Sequence, residues 1–92
     1  MIRSFKCEDT HKPFIARKSR LWSNAQAVAL RKLDQLEAAA TLDDLRIPPG
    51  NRLEALKGAR RGQHSIRIND QWRICFAWRP GGAHDAEIVD YH

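Results

Sequence analysis

Asp90, Tyr91 and His92 stand side by side as the last three residues of the chain. A carboxylate, a phenol and an imidazole are three of the side-chain types that move or orient protons near neutral pH. Chain ends are commonly frayed and chemically dull. Here, however, the run Ala86-Glu87-Ile88-Val89 precedes the trio and reads as a strand that would hold it against a sheet. Continued extension puts Ile88, Asp90 and His92 on one face, with Val89 and Tyr91 on the other.

The cations that could work with this trio are concentrated. Residues 52–79 hold seven basic residues, Arg52, Lys57, Arg60, Arg61, Arg67, Arg73 and Arg79, against only Glu54 and Asp70. That stretch carries the whole net charge of +5, and the rest of the chain balances to zero. Concentrated positive charge is what a polyanion site requires, and the planar fork of arginine suits phosphate. A solvated basic face without a ligand is the alternative. Internal cleavage of RNA needs a 2′-hydroxyl deprotonated, a phosphorane stabilised and a departing 5′-oxygen protonated. Arg and Lys can stabilise the added charge; His, Tyr, Asp or Glu can transfer the protons. The substrate supplies the nucleophile, which fits a chain with no nucleophile elbow, no P-loop and no metal motif. No cofactor is expected.

Each of these residues also has a plainer reading. Arg73 can be a salt-bridged strand residue, and Lys57, before Gly58, a surface lysine. Tyr91 can cap the core and His92 can be a disordered terminus, while Asp90 can pair with Arg67 or Arg73 to hold the tail. Cys7 and Cys75 form no CxxC pair and lie beside Phe5, Ile74 and Phe76, as buried reduced thiols would. The histidines at 11, 64, 84 and 92 lack metal-ligand spacing with them.

The elements that must position these groups follow from periodicity. A chain of 92 residues, 42% hydrophobic and 29% charged, fits one globular domain over 1–92. No apolar run approaches the ~20 residues that span a bilayer. Met1-Ile2-Arg3-Ser4-Phe5 lacks the features of a secretory signal, so a cytoplasmic location without a membrane partner is expected. Ile2–Lys6 reads as a first strand. A short helix follows from the cap chemistry of Glu8-Asp9-Thr10 to about Lys18, with Pro13 expected in its first turn. The next helix spans Asn24–Ala40, capped by Ser23 with Gln26. Its inward stripe is Trp22, Ala25, Ala29, Leu33, Leu36 and Ala40, with Leu30 at the margin; Arg31, Lys32, Asp34 and Gln35 face away.

Pro48-Pro49-Gly50 then breaks the chain, and strands follow. They are Asn51–Lys57, a basic turn at 58–62, Gln63–Ile68, a two-residue hairpin at Asn69-Asp70, a long strand to Arg79, a turn at Pro80-Gly81-Gly82, and Asp85–Asp90. In the long strand, Trp72, Ile74, Phe76 and Trp78 share one face; Arg73, Cys75, Ala77 and Arg79 share the other. The expected architecture is α+β: two N-terminal helices cover the apolar face of a mainly antiparallel sheet of four to five strands. The open face presents Arg67 and Arg73, and the tail is expected beside them on that face.

The order of these pieces resembles the HigB toxin family, also called plasmid maintenance system killer proteins, of the RelE/ParE superfamily. The likeness covers essentially the whole chain. It rests on Met1-Ile2-Arg3-Ser4-Phe5, Pro49-Gly50-Asn51-Arg52-Leu53, Leu56-Lys57-Gly58, the stretch from Ser65 to Phe76 and the terminal Asp90-Tyr91-His92. The resemblance implies a RelE/ParE-like fold and a ribosome-dependent endoribonuclease that cuts mRNA in the A site. It implies a HigA-like helix-turn-helix antitoxin as partner, with DNA contacted only through the antitoxin complex. Carried onto this chain, Lys57 and Arg73 would bind the scissile phosphate. Asp90, Tyr91 and His92 would complete the site, with His92 favoured for proton transfer. Arg52, Arg60, Arg61 and Arg67 are the candidate RNA contacts. Glu54 departs from the pattern, because some family members place a His in the strand before the lysine. A carboxylate can accept a proton but repels phosphate, and so could pair with Lys57 or weaken activity. A ParE-like inhibitor of DNA gyrase, or an RNA- or ribosome-binding module that cuts nothing, would also account for the charge.

Overall fold

Alternation along one long apolar strand sets the layers of this protein. The computed structural model describes residues 1–16 and 25–90. Two helices, α1 (Glu8–Ala16) and α2 (Gln26–Ala38), come first. After two 3-10 turns, Leu42–Arg46 and Pro49–Asn51, four strands run as β1 (Glu54–Ala55), β2 (His64–Arg67), β3 (Trp72–Arg79) and β4 (Gly82–Asp90). They form one antiparallel sheet in the order β1-β2-β3-β4. On the inner face, Ile66, Ile74 and Phe76 are fully buried and pack with Ala29, Leu33 and Leu36 of α2 and with Leu45. Trp72, Trp78 and Ile88 pack at the margin of this core. Each buried Leu, Ile or Phe contributes roughly 1.5–3 kcal/mol, so these contacts dominate the attachment of α2 to the sheet.

Several elements depart from the periodic reading, each for a local reason. Ile2 and Phe5 make isolated parallel bridges to Ala83 and Ala86 in place of a full first strand. The Met1 carbonyl accepts from the Ala83 amide at 2.9 Å. That closeness demands a glycine before it: a Cβ on Gly82 would lie 1.9 Å from the Met1 oxygen. Pro13 is the sixth residue of α1, beyond the first turn where it was expected. The helix is held from its buried side instead, since Thr10, 1% exposed, accepts from the Ile88 amide of β4 at 3.0 Å. Helix α2 starts with Ala25 in the cap position and no side-chain cap. Lys18, Trp22, Ser23 and Asn24 lie outside the described residues. At its other end the chain turns extended at Ala39, so Ala39 is buried and Ala40 exposed, the reverse of the expected stripe.

Lys32 was expected outside and is 7% exposed, because its ammonium reaches inward to Asn51 Oδ1. Asn51 is itself drawn fully inside, and Arg52 takes a left-handed conformation (φ 46°, ψ 54°). That kink shortens the strand expected over Asn51–Lys57 to two residues. The β2–β3 connection is longer than two residues, since Ile68 still pairs with Trp72. Its Asn69 side chain accepts from the amides of Gln71 and Trp72 at 2.9 and 2.8 Å. β4 begins at Gly82, earlier than Asp85, and continues through an irregularity opposite Cys75–Ala77, where Asp85 has a φ of 56°. This extra residue brings both Ala83 and Ala86 into the core.

Candidate functional site

Arg73 lies on the outer face of β3, opposite Arg67 on one side and Val89 on the other. It is only 9% exposed, so its charge must be met by neighbours. Its Nε donates to Ser65 Oγ at 2.8 Å, and one terminal nitrogen donates to the Arg52 carbonyl at 2.8 Å. The same nitrogen lies 3.7 Å from Glu54 Oε1. The register explains the cluster: Glu54 is paired with Ser65, which is one row from Arg67 and diagonal to Arg73. Glu54 is half exposed on the edge strand, so the guanidinium is fixed from beneath by Ser65 and faces a carboxylate at the rim. Hydrogen bonds from an ionised donor are the strong kind. The frame therefore fixes both the position and the direction of this cation.

The other basic residues divide into two groups. Arg67 ion-pairs with Asp70 in the hairpin loop. Arg60 lies 2.8 Å from Glu87 Oε1, a close ion pair that lacks the alignment of a hydrogen bond, and its guanidinium donates to Gln63 Oε1 at 3.1 Å. Lys6 approaches the same Glu87 carboxylate at 3.8 Å. Glu87 is paired with Cys75 on the outer face, so it fastens the basic turn Gly58–Arg60 down onto the sheet. Arg52, Lys57, Arg61 and, at the far end of β3, Arg79 are exposed. Lys57 is the extended residue that opens the turn, three places after Glu54. Arg73, not Lys57, is the cation that Glu54 approaches.

Asp90 does not lie as expected with respect to the arginines. Asp90 is paired with Trp72, whose ring packs on the core side, whereas Arg73 is paired with Val89. Asp90 therefore belongs to the face opposite Arg73, at the last row of the sheet, where Gln71 Nε2 donates to it at 3.1 Å. Tyr91 and His92 lie outside the described residues. The described cluster thus consists of Arg73, Glu54, Ser65 and the Arg52 carbonyl. Ser65 and Glu87 carried no signal as candidates: a serine or glutamate within a strand becomes legible only once the cross-strand register is known.

Cys75 is fully buried in β3, and burial pushes its thiol pKa up, against a smaller opposing pull from Arg60. Cys7 is only half-buried. Among the described residues no group of three or more His, Cys, Asp or Glu is placed to hold a metal ion. Nor, among them, is any helix long and apolar enough to cross a membrane.

With this geometry in view, the likenesses to known proteins are consistent with one another. The chain shares its fold with the YoeB-YefM complex from Staphylococcus aureus, at a TM-score of 0.58 and 16% identity, over 100% of this chain and 98% of that one. Toxin HigB-1 of Vibrio cholerae is 49% identical over 61 residues, 66% of this chain. That match spans 64% of the Vibrio protein's length, a little under two thirds. An uncharacterised protein of Haemophilus influenzae is 36% identical over 78 residues, 85% of this chain and 70% of that protein. Residues 2–92 match the family of HigB-like toxins, described as RelE-like toxins of the type II toxin-antitoxin system HigB. The chain belongs to the HigB-like toxin family.

Proposed function

We propose that this protein is a ribosome-dependent endoribonuclease that cleaves mRNA in the A site and thereby inhibits translation and growth. The observation that carries the reading is the buried frame around Arg73, with the exposed cations Arg52, Lys57 and Arg61 in the same basic stretch. Fixed by Ser65 and the Arg52 carbonyl, the guanidinium stabilises the phosphorane without having to reorganise as charge develops. Lys57, three residues beyond Glu54 and exposed, supplies the second cation to the scissile phosphate. The 2′-hydroxyl attacks, so the protein contributes charge and proton transfer and the chemistry proceeds through side chains alone. Tyr91 and His92 complete the site, with His92 transferring a proton, while Asp90, on the opposite face, is held by Gln71 at the end of β4. Glu54 accepts a proton in the strand where the resemblance implies a His in some members, and its negative charge beside Arg73 makes this a milder toxin. The exposed cations Arg52 and Arg61 guide the RNA backbone, while Arg60 and Arg67 contribute to the field from their ion pairs. Docking in the A site supplies the alignment that so small a site lacks.

The proposed partner is a HigA-like helix-turn-helix antitoxin that neutralises the toxin and connects it to DNA. Primer extension on mRNA after induction, with and without translation, tests the activity. Cuts within translated codons, lost when translation is blocked, are expected. Equal cutting of untranslated RNA would remove the ribosome dependence, and intact mRNA would remove the nuclease. Deleting His92 should abolish cleavage while ribosome binding persists.

A further inference from the structure

We infer that Lys32 and Asn51 are positioning residues for Arg73, fixing the left-handed turn at Arg52 whose carbonyl holds the guanidinium. For its effect on cleavage this inference rests on the proposed nuclease activity; for its effect on Arg73 it stands alone. Asn51 is fully buried. Its Oδ1 accepts from the Lys32 ammonium. Its amide nitrogen donates to Gln35 Oε1 and the Leu45 carbonyl, both at 3.1 Å, and lies 3.4 Å from the Ile47 carbonyl. Two amide protons thus serve three acceptors, and one side chain joins α2 to both 3-10 turns.

A buried ammonium is costly to desolvate. An apolar side chain of similar volume would fill the space under α2 without that penalty. What the position requires is therefore the donor. The next residue, Arg52, holds a backbone conformation that side-chain-bearing residues adopt rarely and that persists only where the surroundings impose it. Asn51 and Arg52 each donate their amides back to the turn, to Pro48 O at 2.9 Å and Pro49 O at 3.1 Å. On its far side the Arg52 carbonyl accepts from Arg73 at 2.8 Å. The path runs without a gap from the helix, through Asn51, to the guanidinium.

Lys32→Met keeps the volume and removes the donor. Two readouts are needed: the Arg73 Nε–H signal by NMR, and cleavage of mRNA on translating ribosomes. In the folded variant the Arg73 signal should move and its proton exchange faster. kcat per folded molecule, with the folded fraction measured alongside, should fall about 10- to 100-fold, with KM unchanged. An unmoved Arg73 signal overturns the inference, as does a moved signal with unaltered kcat. If wild type cuts nothing while the Arg73 signal responds, the nuclease reading fails and the positioning role stands. Should Lys32→Met fail to fold, Gln35→Ala removes a half-buried ligand of Asn51 instead. A smaller shift of the same signal is then expected, and no shift overturns the inference.

Discussion

Glu54 places a carboxylate 3.7 Å from the guanidinium that a phosphate would need. Replacing it with an imidazole removes a standing negative charge at that spot. Glu54→His should therefore strengthen growth inhibition on induction, and unchanged growth curves would count against a competing role for this acid. Arg73→Ala should lower cleavage by about 10²–10³-fold, the usual loss for one preorganised donor. Arg73→Lys should not restore it, because a point ammonium cannot bridge Ser65 and the Arg52 carbonyl as the planar fork does. Single-turnover cleavage rates for the two variants decide this. At this scale the sequence was informative wherever a side chain announces its own chemistry. Arg73 could be singled out from its charge and its place in the strand, and Glu54 from its departure from the family resemblance. Ser65 and Asn51 could not, since each depends on side-chain partners 8 to 19 residues away.

The elements were legible where a period governed them and illegible where a distant contact did. The inner face of β3 follows alternation, and the inward stripe of α2 follows helical spacing through Leu36. The short β1 and the contact between Met1 and Gly82 depend on contacts that no window of sequence contains. Gly82→Ala should accordingly cost about 1–3 kcal/mol from its backbone conformation alone. The displaced Met1 carbonyl adds the loss of its bond from Ala83, so a marked drop in the denaturation midpoint is expected. The two thiols offer a second check on packing. Cys75 sits inside β3 with its pKa raised, so the reactive thiolate is scarcer below that raised pKa than for an ordinary cysteine. Iodoacetamide at pH 8 should modify Cys7 in the native protein and Cys75 only after unfolding. Mass spectrometry would reveal early labelling at Cys75 if the strand were less well packed than described.

At the scale of the molecule, the count of seven cations in residues 52–79 overstates what is available to an anion. Arg60 and Arg67 stand in ion pairs with Glu87 and Asp70, whereas Arg52, Lys57 and Arg61 are exposed. Single-stranded RNA loses about 0.7 log units of affinity per log unit of salt for each phosphate contact. Three such contacts predict a slope of about −2 on this scale. Fluorescence anisotropy against potassium chloride would measure it, and a slope of about −3.5 would mean that the two ion-paired arginines are released on binding as well. The sequence disclosed the concentration of charge but not this division, which depends on which acids the fold brings alongside.

The two-residue β1 has a colloidal consequence as well. It forms the outer edge of the sheet next to β2, where a longer run of unpaired amides would invite strand addition by a neighbouring molecule. Cut short by the kink at Arg52, with the charge of Glu54 within it and of Lys57 just beyond it, this border offers too little template for that zipper. The same kink that supplies a carbonyl to Arg73 thereby guards the edge against self-association.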